Sequence, residues 1–472
     1  MPSFHNTLTR QKEPLRLIDP EQKKVRLYTC GPTVYDHAHI GNFRAYLFED
    51  LLQRHLESRG YDVQRVMNLT DVDDKTIRGA RTKGISLDDY TRPYKEAFFA
   101  DCAALRLRPA KAYPAATDPE NIAAMIAMIT TLIEHQHAYQ AEDGSVYFRI
   151  TSFANYGKLA HVDLQEQRPS GRVQNDEYSK EEIADFALWK AWTPEDGDVR
   201  WESPWGAGRP GWHIECSAMA TRLLGDQIDI HCGGVDNIFP HHEAEIAQCE
   251  CVTGHSFVRL WMHCAHLMVE GSKMSKSAGN FYTARTLMEQ GWSGREIRYT
   301  LLSVHYRIPL NFTIEGLESS RQALARIDAW KERLQEAQKN SISKNIPTLE
   351  KIGSTILEDF FNALDDDLNI SAAFAVLFDV IRESNRQLDA GTFSAEQATA
   401  LWHWWQKVNS ILALEQDETI PIPEKVLSLL AARQAAREAK HWGESDRLRD
   451  EITALGWQIK DTKGEQKVYP LT

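Results

Sequence analysis

KVRLYTCGPTVYDHAHIGNFRAYLFEDLLQRHLESRGYDVQRVMNL, Lys24 to Leu69, is the stretch that decides the fold. Val25 to Cys30 has the composition of a strand, and a polar loop with Gly31 and Pro32 follows it. A helix is expected from about Asn42, with Phe43, Leu47 and Leu51 on one face and Gly60 as its stop. Tyr61 to Leu69 reads as a second strand. Strand, helix and strand within about forty-five residues make a βαβ unit, which builds a parallel sheet through right-handed crossovers. Ligands bind such sheets beyond the carboxyl ends of the strands, and the loop after Cys30 lies at that edge.

Outward from this unit, residues 109–200 read as an insertion: helices around Asp118–His137, the short run Ser145–Ile150, then a polar stretch. Sheet character resumes with Asp226–His231, followed by Gly233-Gly234, and with Phe257–Met262. The expected class is α/β, a Rossmann-like parallel-sheet catalytic domain whose halves, 1–108 and 201–266, are split by the insertion. Residues 267–338 follow as a loop and helices, including one from about Ile314 through Gln338. After a linker, Lys339–Pro347, the stretches Leu349–Asn385 and Ser394–Leu414 give a helical bundle at 348–414. Pro421 and Pro423 mark a joint before a small unit at 424–472.

Composition narrows the class. Over 472 residues, 42% are hydrophobic and 26% charged, a globular balance that excludes disordered or collagen-like chains. A net charge of −13 gives no blanket attraction for nucleic acid, so an RNA partner needs local basic patches. The longest apolar run, Ala123–Ile133, is shorter than the roughly 20 residues that span a bilayer. The N-terminal stretch carries charges and prolines where a secretory segment needs an apolar run. Seven cysteines, none beyond Cys264, do not form a secreted disulfide framework. The expectations are a cytoplasmic location, no membrane and a monomer.

Two segments suit phosphate. His39-Ile40-Gly41-Asn42 sits between strand and helix, where free backbone N–H groups and the helix dipole favour an anion. Gly41 allows close approach, and His39 can donate to a phosphate; the same four residues also read as an Asn cap beside an incidental His. Lys273-Met274-Ser275-Lys276-Ser277, flanked by glycines, offers two lysines spaced to grip a triphosphate. A metal set is also visible. His241 and Glu245 are four apart and share a helix face, and Cys30 and Cys216 complete two sulfurs, one nitrogen and one oxygen. Cys249, another four on and close to Cys251, forms a rival set with His241 and Glu245, and spacing does not separate the two.

HIGN and KMSKS, in this order and separation, resemble the two signatures of class I aminoacyl-tRNA synthetases; Asn42 stands where the general motif has a second histidine. YTCGPTVYDHAHIGN, NLTDVDDK, GRPGWHIECSAMA, DIHCGGVDNIFPHHEAEIAQ, GSKMSKSAGN and LDDDLN together resemble the cysteinyl-tRNA synthetase family along nearly the whole chain. The resemblance implies ATP-dependent activation of L-cysteine, with Mg2+, and transfer to tRNA(Cys). It implies zinc on Cys30, Cys216, His241 and Glu245, excludes Cys249, and assigns catalysis to His39, Asn42, Lys273 and Lys276. It further implies ATP contacts at Gly41, Gly233, Gly234 and Asp236, and amino-acid contacts at Thr70 and Asp71, with Trp212 walling the pocket. One methylene is worth only about 1–3 kcal/mol in a pocket, so a metal–thiolate bond supplies the missing discrimination and no editing site is expected. The C-terminal end, with eight Lys/Arg against seven Asp/Glu from Ala431 on, is expected to read the anticodon. Arg433, Arg437, Arg447, Arg449, Trp442 and Trp457 there suit RNA. Two alternatives remain: a ligase passing activated cysteine to an amino sugar, similar through KMSKS but without the segment beyond Pro421, and a catalytically silent zinc- or RNA-binding relative, against which the intact HIGN and KMSKS segments argue.

Overall fold

The computed structural model describes residues 1–162, 172–173, 184–276, 279–339, 354–416, 423–462 and 465–470. A hairpin of β1 (Ser3–Asn6) and β2 (Gln11–Pro14) precedes β3 (Lys24–Thr29), α1 (Ile40–Ser58) and β4 (Asp62–Met67). β3 and β4 are parallel, with Thr29 paired to Met67. α1 begins at Ile40 rather than Asn42, because His39 and Asn42 close a capping box around the first turn. Its apolar face, Phe43, Leu47 and Leu51, is buried in one core with Ile297 and Leu301.

Next come α2 (Asp74–Lys83), α3 (Leu87–Ala104) and α4 (Pro119–Glu134). β5 (Ala138–Gln140), β6 (Val146–Phe148), β7 (Arg172–Val173), β8 (Asp185–Ala191) and β9 (Gly208–Pro210) form a separate sheet, ordered β5-β6-β8-β7 with β9 on β8. The segment read as polar thus contains a strand. Phe186 to Lys190 are buried on both faces of β8, so the alternation that announces a half-buried strand is missing.

α5 (Trp212–Leu224) leads to β10 (Ile228–Gly234), α6 (Glu243–Thr253) and β11 (Val258–Cys264). The main sheet has the order β11-β10-β3-β4 and every pairing is parallel. β10 pairs with β3 through Cys232 and Thr29, which brings the carboxyl ends of strands two hundred positions apart side by side. Gly233 and Gly234 end β10 itself rather than following it. In the FPHH segment, as its spacing suggests, Pro240, His241 and His242 lead helically into α6, and the break falls before them. Phe239 is extended, at φ −138° and ψ 132°. The ring of a proline crowds the residue before it out of the helical region, so Phe239 breaks the turn.

β12 (Leu267–Val269) and β13 (Ser272–Lys273) are followed by α7 (Ala284–Glu289), α8 (Gly294–Leu302) and β14 (Leu310–Phe312), with sheet order β13-β12-β14. α9 (Ile314–Lys339), α10 (Ser354–Asp365), α11 (Ile370–Asp389) and α12 (Ala395–Leu412) make the helical bundle. Trp330 and Trp405 meet edge to face in its core, and the Trp330 indole N–H donates to Ser384 Oγ at 2.8 Å. The helical stretch read over Leu349–Asn385 is two helices, broken where Asp367 and Leu368 take positive φ. The expected linker beyond Lys339, Ser277 of the lysine loop and the joint at Pro421 lie outside the described residues.

The chain divides into two compact units, Met1–Leu414 and Glu415–Thr472. The second holds α13 (Glu424–Glu438), α14 (Trp442–Ala454) and a hairpin of β15 (Trp457–Thr462) and β16 (Glu465–Pro470). Val426, Ile452 and Trp457 form its core. Two residues expected to face RNA are therefore corrected: Trp457 is packed inside, and Arg433 is buried with its guanidinium on Gln466. Arg447 and Trp442 are exposed, with Arg447 paired to Glu444 and Glu451. Arg437 and Arg449 are half-buried.

Candidate active site

The two lysine- and histidine-bearing segments meet at one edge of the sheet. His39 caps α1: its Nδ1 accepts the Asn42 N–H at 3.1 Å, and Asn42 Oδ1 accepts the His39 N–H at 3.1 Å. That bond fixes the neutral tautomer with its proton on Nε2. Burial lowers the His39 pKa, opposed by the Asp236 carboxylate across the cleft. A Cβ on Gly41 would lie 3.0 Å from the His39 ring and 3.6 Å from Met274 Cε, so the lysine loop rests against the start of α1. The Ile40 N–H donates to Tyr282 O at 3.0 Å, and Phe281 meets the His39 ring edge-on at 5.6 Å. Lys276 pairs with Asp36 and stands over the Phe281 ring at 5.1 Å. Lys273 is exposed at the end of β13.

At the end of β10, Gly233 and Gly234 are required by close approach. A Cβ on the first would meet His242 Cε1 at 2.8 Å and on the second Asp236 Oδ1 at 2.3 Å. The Gly234 N–H donates to Asn237 Oδ1 at 3.0 Å, which leaves Asp236 exposed at the rim.

Below the rim, Cys30, Cys216, His241 and Glu245 offer ligand atoms that all lie within 4.8 Å of one another. The donor set, two sulfurs, one nitrogen and one oxygen, suits zinc. Glu245 Oε1 is buried without a hydrogen-bond partner, 3.2 Å from His241 Nε2, and is thus an orphaned donor atom of the kind a cation satisfies. The mutual Cys30–Cys216 contact, then burial and Glu245, push the Cys30 thiol well up, and burial holds His241 neutral with a pKa of about 3. A cation reverses the first and needs the second. Cys249 and Cys251 lie in the apolar core and belong to neither candidate group among the described residues.

Histidines that the sequence reading passed over surround this cluster. His231 Nε2 contacts Glu245 Oε2 at 2.9 Å, His213 Nδ1 contacts His241 Nδ1 at 3.0 Å, and His242 Nε2 lies 3.2 Å from Cys30 Sγ. Cys30, His231, His242 and Glu245 form a second possible set. Strand alternation in DIHCGG was the signal for His231, since His231 and Gly233 share a face of β10. Trp212 stacks on His241 with ring centres 4.3 Å apart. Thr70 donates to Glu215 Oε2 at 2.8 Å. Asp71 is held by Thr117 and by Lys95 at 2.6 Å, which accounts for its carboxylate without a ligand. Glu243 accepts the N–H groups of Gly157, Leu159 and Ala160 and so ties the insertion to the start of α6.

Residues 17–322 match the family profile of the tRNA synthetases class I (C) catalytic domain, 359–416 the DALR domain, and 421–468 the cysteinyl-tRNA ligase anticodon binding domain. The cysteine–tRNA ligase of Chlamydia pneumoniae is 51% identical over 470 residues, covering 99% of this chain and 98% of that one. The chain belongs to the cysteine–tRNA ligase family. Another member, from Protochlamydia amoebophila, is 49% identical over 97% of this chain and 96% of its own length. The fold is that of the class I synthetases. A Mycobacterium tuberculosis methionyl-tRNA synthetase in complex with methionyl-adenylate superposes with a TM-score of 0.63 at 14% identity, covering 82% of this chain and 90% of that one. The ternary complex of Agrobacterium radiobacter K84 agnB2 LeuRS superposes at 0.61 and 12% identity, covering 84% and 85%. Among the described residues no helix is long and apolar enough to cross a membrane.

Proposed function

We propose that this member of the cysteine–tRNA ligase family reads cysteine through zinc held by Cys30, Cys216, His241 and Glu245. The ligase reaction is the family's: ATP activates L-cysteine, and the aminoacyl group passes to tRNA(Cys). The observation that carries the zinc reading is the S2NO cluster with its orphaned Glu245 oxygen. Zinc bound there supplies a soft Lewis acid that favours the substrate thiolate over a serine hydroxyl. Trp212, stacked on His241, walls the side-chain pocket, and Thr70 contacts the amino acid. The substrate carboxylate attacks the α-phosphorus of ATP and pyrophosphate leaves. The His39 Nε2–H, Asn42, Lys273 and Lys276, with Mg2+, offset charge developing on the phosphates. Gly41, Gly233 and Gly234 let the nucleotide approach backbone, and Asp236 takes the ribose. A tRNA 3′-terminal hydroxyl then attacks the adenylate carbonyl and AMP leaves. We assign 1–108 and 201–266 to the catalytic body, 109–200 to the insertion, 267–338 to the KMSKS region, 348–414 to a tRNA-binding bundle and 424–472 to anticodon recognition. The enzyme acts as a monomer in the cytoplasm.

Incubation with ATP, labelled cysteine and total tRNA tests the reading: label should become acid-precipitable and RNase-sensitive. Label appearing on an amino sugar instead of tRNA would identify the other ligase, and no pyrophosphate exchange would identify a silent relative. For the metal, zinc should be stoichiometric and survive Cys249→Ser but not Cys216→Ser; the reverse pattern would replace the ligand set.

A further inference from the structure

LDDDLN, residues 364–369, touches none of the atoms assigned to catalysis, yet its three carboxylates hold the end of α1, the β1–β2 hairpin and the Tyr306–Arg307 segment. Asp365 Oδ1 contacts His55 Nε2 at 2.8 Å, and its two oxygens accept from Arg59 Nε at 3.1 Å and Nη2 at 2.7 Å, at the last turn of α1. Asp366 pairs with Lys12 of β2 and bridges to Ser3 of β1. Asp367 accepts the Tyr306 hydroxyl at 2.6 Å, Arg307 Nε at 2.7 Å and the His5 N–H at 2.9 Å. Asp367 and Leu368 hold φ of 59° and 50°, a conformation that persists in such residues only when surrounding contacts over-determine it.

One ATP signature lies on an element this turn grips, and the other is reached from it through two strand pairings. Tyr306 stacks on Phe48 of α1 at 4.4 Å, and Arg44 of α1 donates to the carbonyls of Leu301, His305 and Ile308. α1, about 28 Å long at 1.5 Å per residue, therefore has its last turn held by Asp365 and carries HIGN at its other end. On the second route, Tyr306 and Arg307 lead into β14, which pairs with β12 through Leu310 and Leu267; β12 pairs with β13 through Met268 and Lys273 of KMSKS.

We propose that the turn Asp365–Asp367 is the positioning element through which the helical bundle sets α1 and β13 for aminoacyl transfer. Adenylate formation needs only the two signatures and the sheet. Transfer also needs an acceptor end delivered by a tRNA held on the bundle, so it depends on how rigidly the bundle is registered to the signatures. The inference rests on the assignment of the bundle as tRNA-binding.

Asp365→Asn and Asp367→Asn keep side-chain volume and remove the charge. In the full-length enzyme, pyrophosphate exchange and the Kd for a tRNA(Cys) transcript should stay within about threefold of wild type. Single-turnover transfer from preformed cysteinyl adenylate should slow by about tenfold or more. Tyr306→Phe, which deletes one hydroxyl, guards against a folding defect: its smaller loss in transfer should be non-additive with Asp367→Asn. Equal losses in exchange and transfer, no loss in either, or strict additivity would each overturn the proposal. Wild-type charging and tRNA affinity are measured alongside. A wild type unable to charge tRNA(Cys) would remove the underlying reading and the proposal with it, whereas charging without separation of the two steps overturns the proposal alone.

Discussion

The His39 imidazole accepts the Asn42 backbone N–H through Nδ1, so the side chain caps α1 and keeps Nε2 as its remaining ring donor. Asn42 completes the box through Oδ1, which leaves its Nδ2 outside the cap. Asn42→Ala should cost about 0.5–1.5 kcal/mol of stability as one lost hydrogen bond of the capping box, read as a lower melting temperature. Lys276→Ala should depress ATP–pyrophosphate exchange by about 10²–10³, the usual cost of removing one donor to developing charge; near-normal exchange would remove Lys276 from the phosphate site. Glu49, on α1, is fully enclosed, and burial raises its pKa from the usual 4.5 to about 8, outweighing the opposing pull of Arg65 and a hydrogen bond from Thr29. A carboxyl whose folded pKa exceeds its unfolded value penalises the fold increasingly as pH rises from about 4.5 to about 8. Glu49→Gln should therefore gain stability over wild type as pH rises from 5 to 8; melting scans across that range that show a constant difference would contradict it.

At the scale of elements, α1 is the strut of the first unit. Besides the acidic turn it is held by Arg298, fully buried on α8, whose guanidinium meets Asp50 at 2.6 Å and the carbonyls of Leu105, Arg106 and Leu412. One charge therefore joins α1, the segment after α3 and the end of α12. Removing Arg298 leaves Asp50 its pair with Arg54 at 2.8 Å and the Arg108 N–H, but strips the buried carbonyls of Leu105, Arg106 and Leu412 of a donor, each unsatisfied buried group costing about 1–3 kcal/mol. Arg298→Met should lower the urea midpoint far more than Arg447→Met in α14, whose exposed pairs with Glu444 and Glu451 contribute little.

For the whole molecule, the unit Glu415–Thr472 has its own small core and, among the described residues, contributes none to the Cys30–Cys216–His241–Glu245 cluster. Removing it should leave cysteine-dependent pyrophosphate exchange unchanged and raise the KM for tRNA(Cys) by at least about tenfold, equivalent to roughly 1.4 kcal/mol of recognition. Parallel losses in both assays would mean that the unit supports the catalytic body rather than the RNA.

Local pattern was enough for the βαβ unit at Lys24–Leu69, the order of the bodies along the chain and the two motif segments that meet at the sheet edge, because helix periodicity and short motifs are properties of neighbouring residues. It was not enough for β8, whose burial on both faces erases the alternation, nor for Arg433, whose partner Gln466 lies in a hairpin the sequence reading did not separate. The metal set shows the boundary most plainly. Spacing left Cys216 and Cys249 as rivals, and the resemblance chose between them, but spacing says nothing of what shares the site. Only the pairing of β10 beside β3 brings Cys30 to the same edge as His231 and puts His242 and Glu245 within reach, while Cys249 goes into the core. Which strand lies beside which is decided by packing between segments two hundred residues apart, and no local period records it.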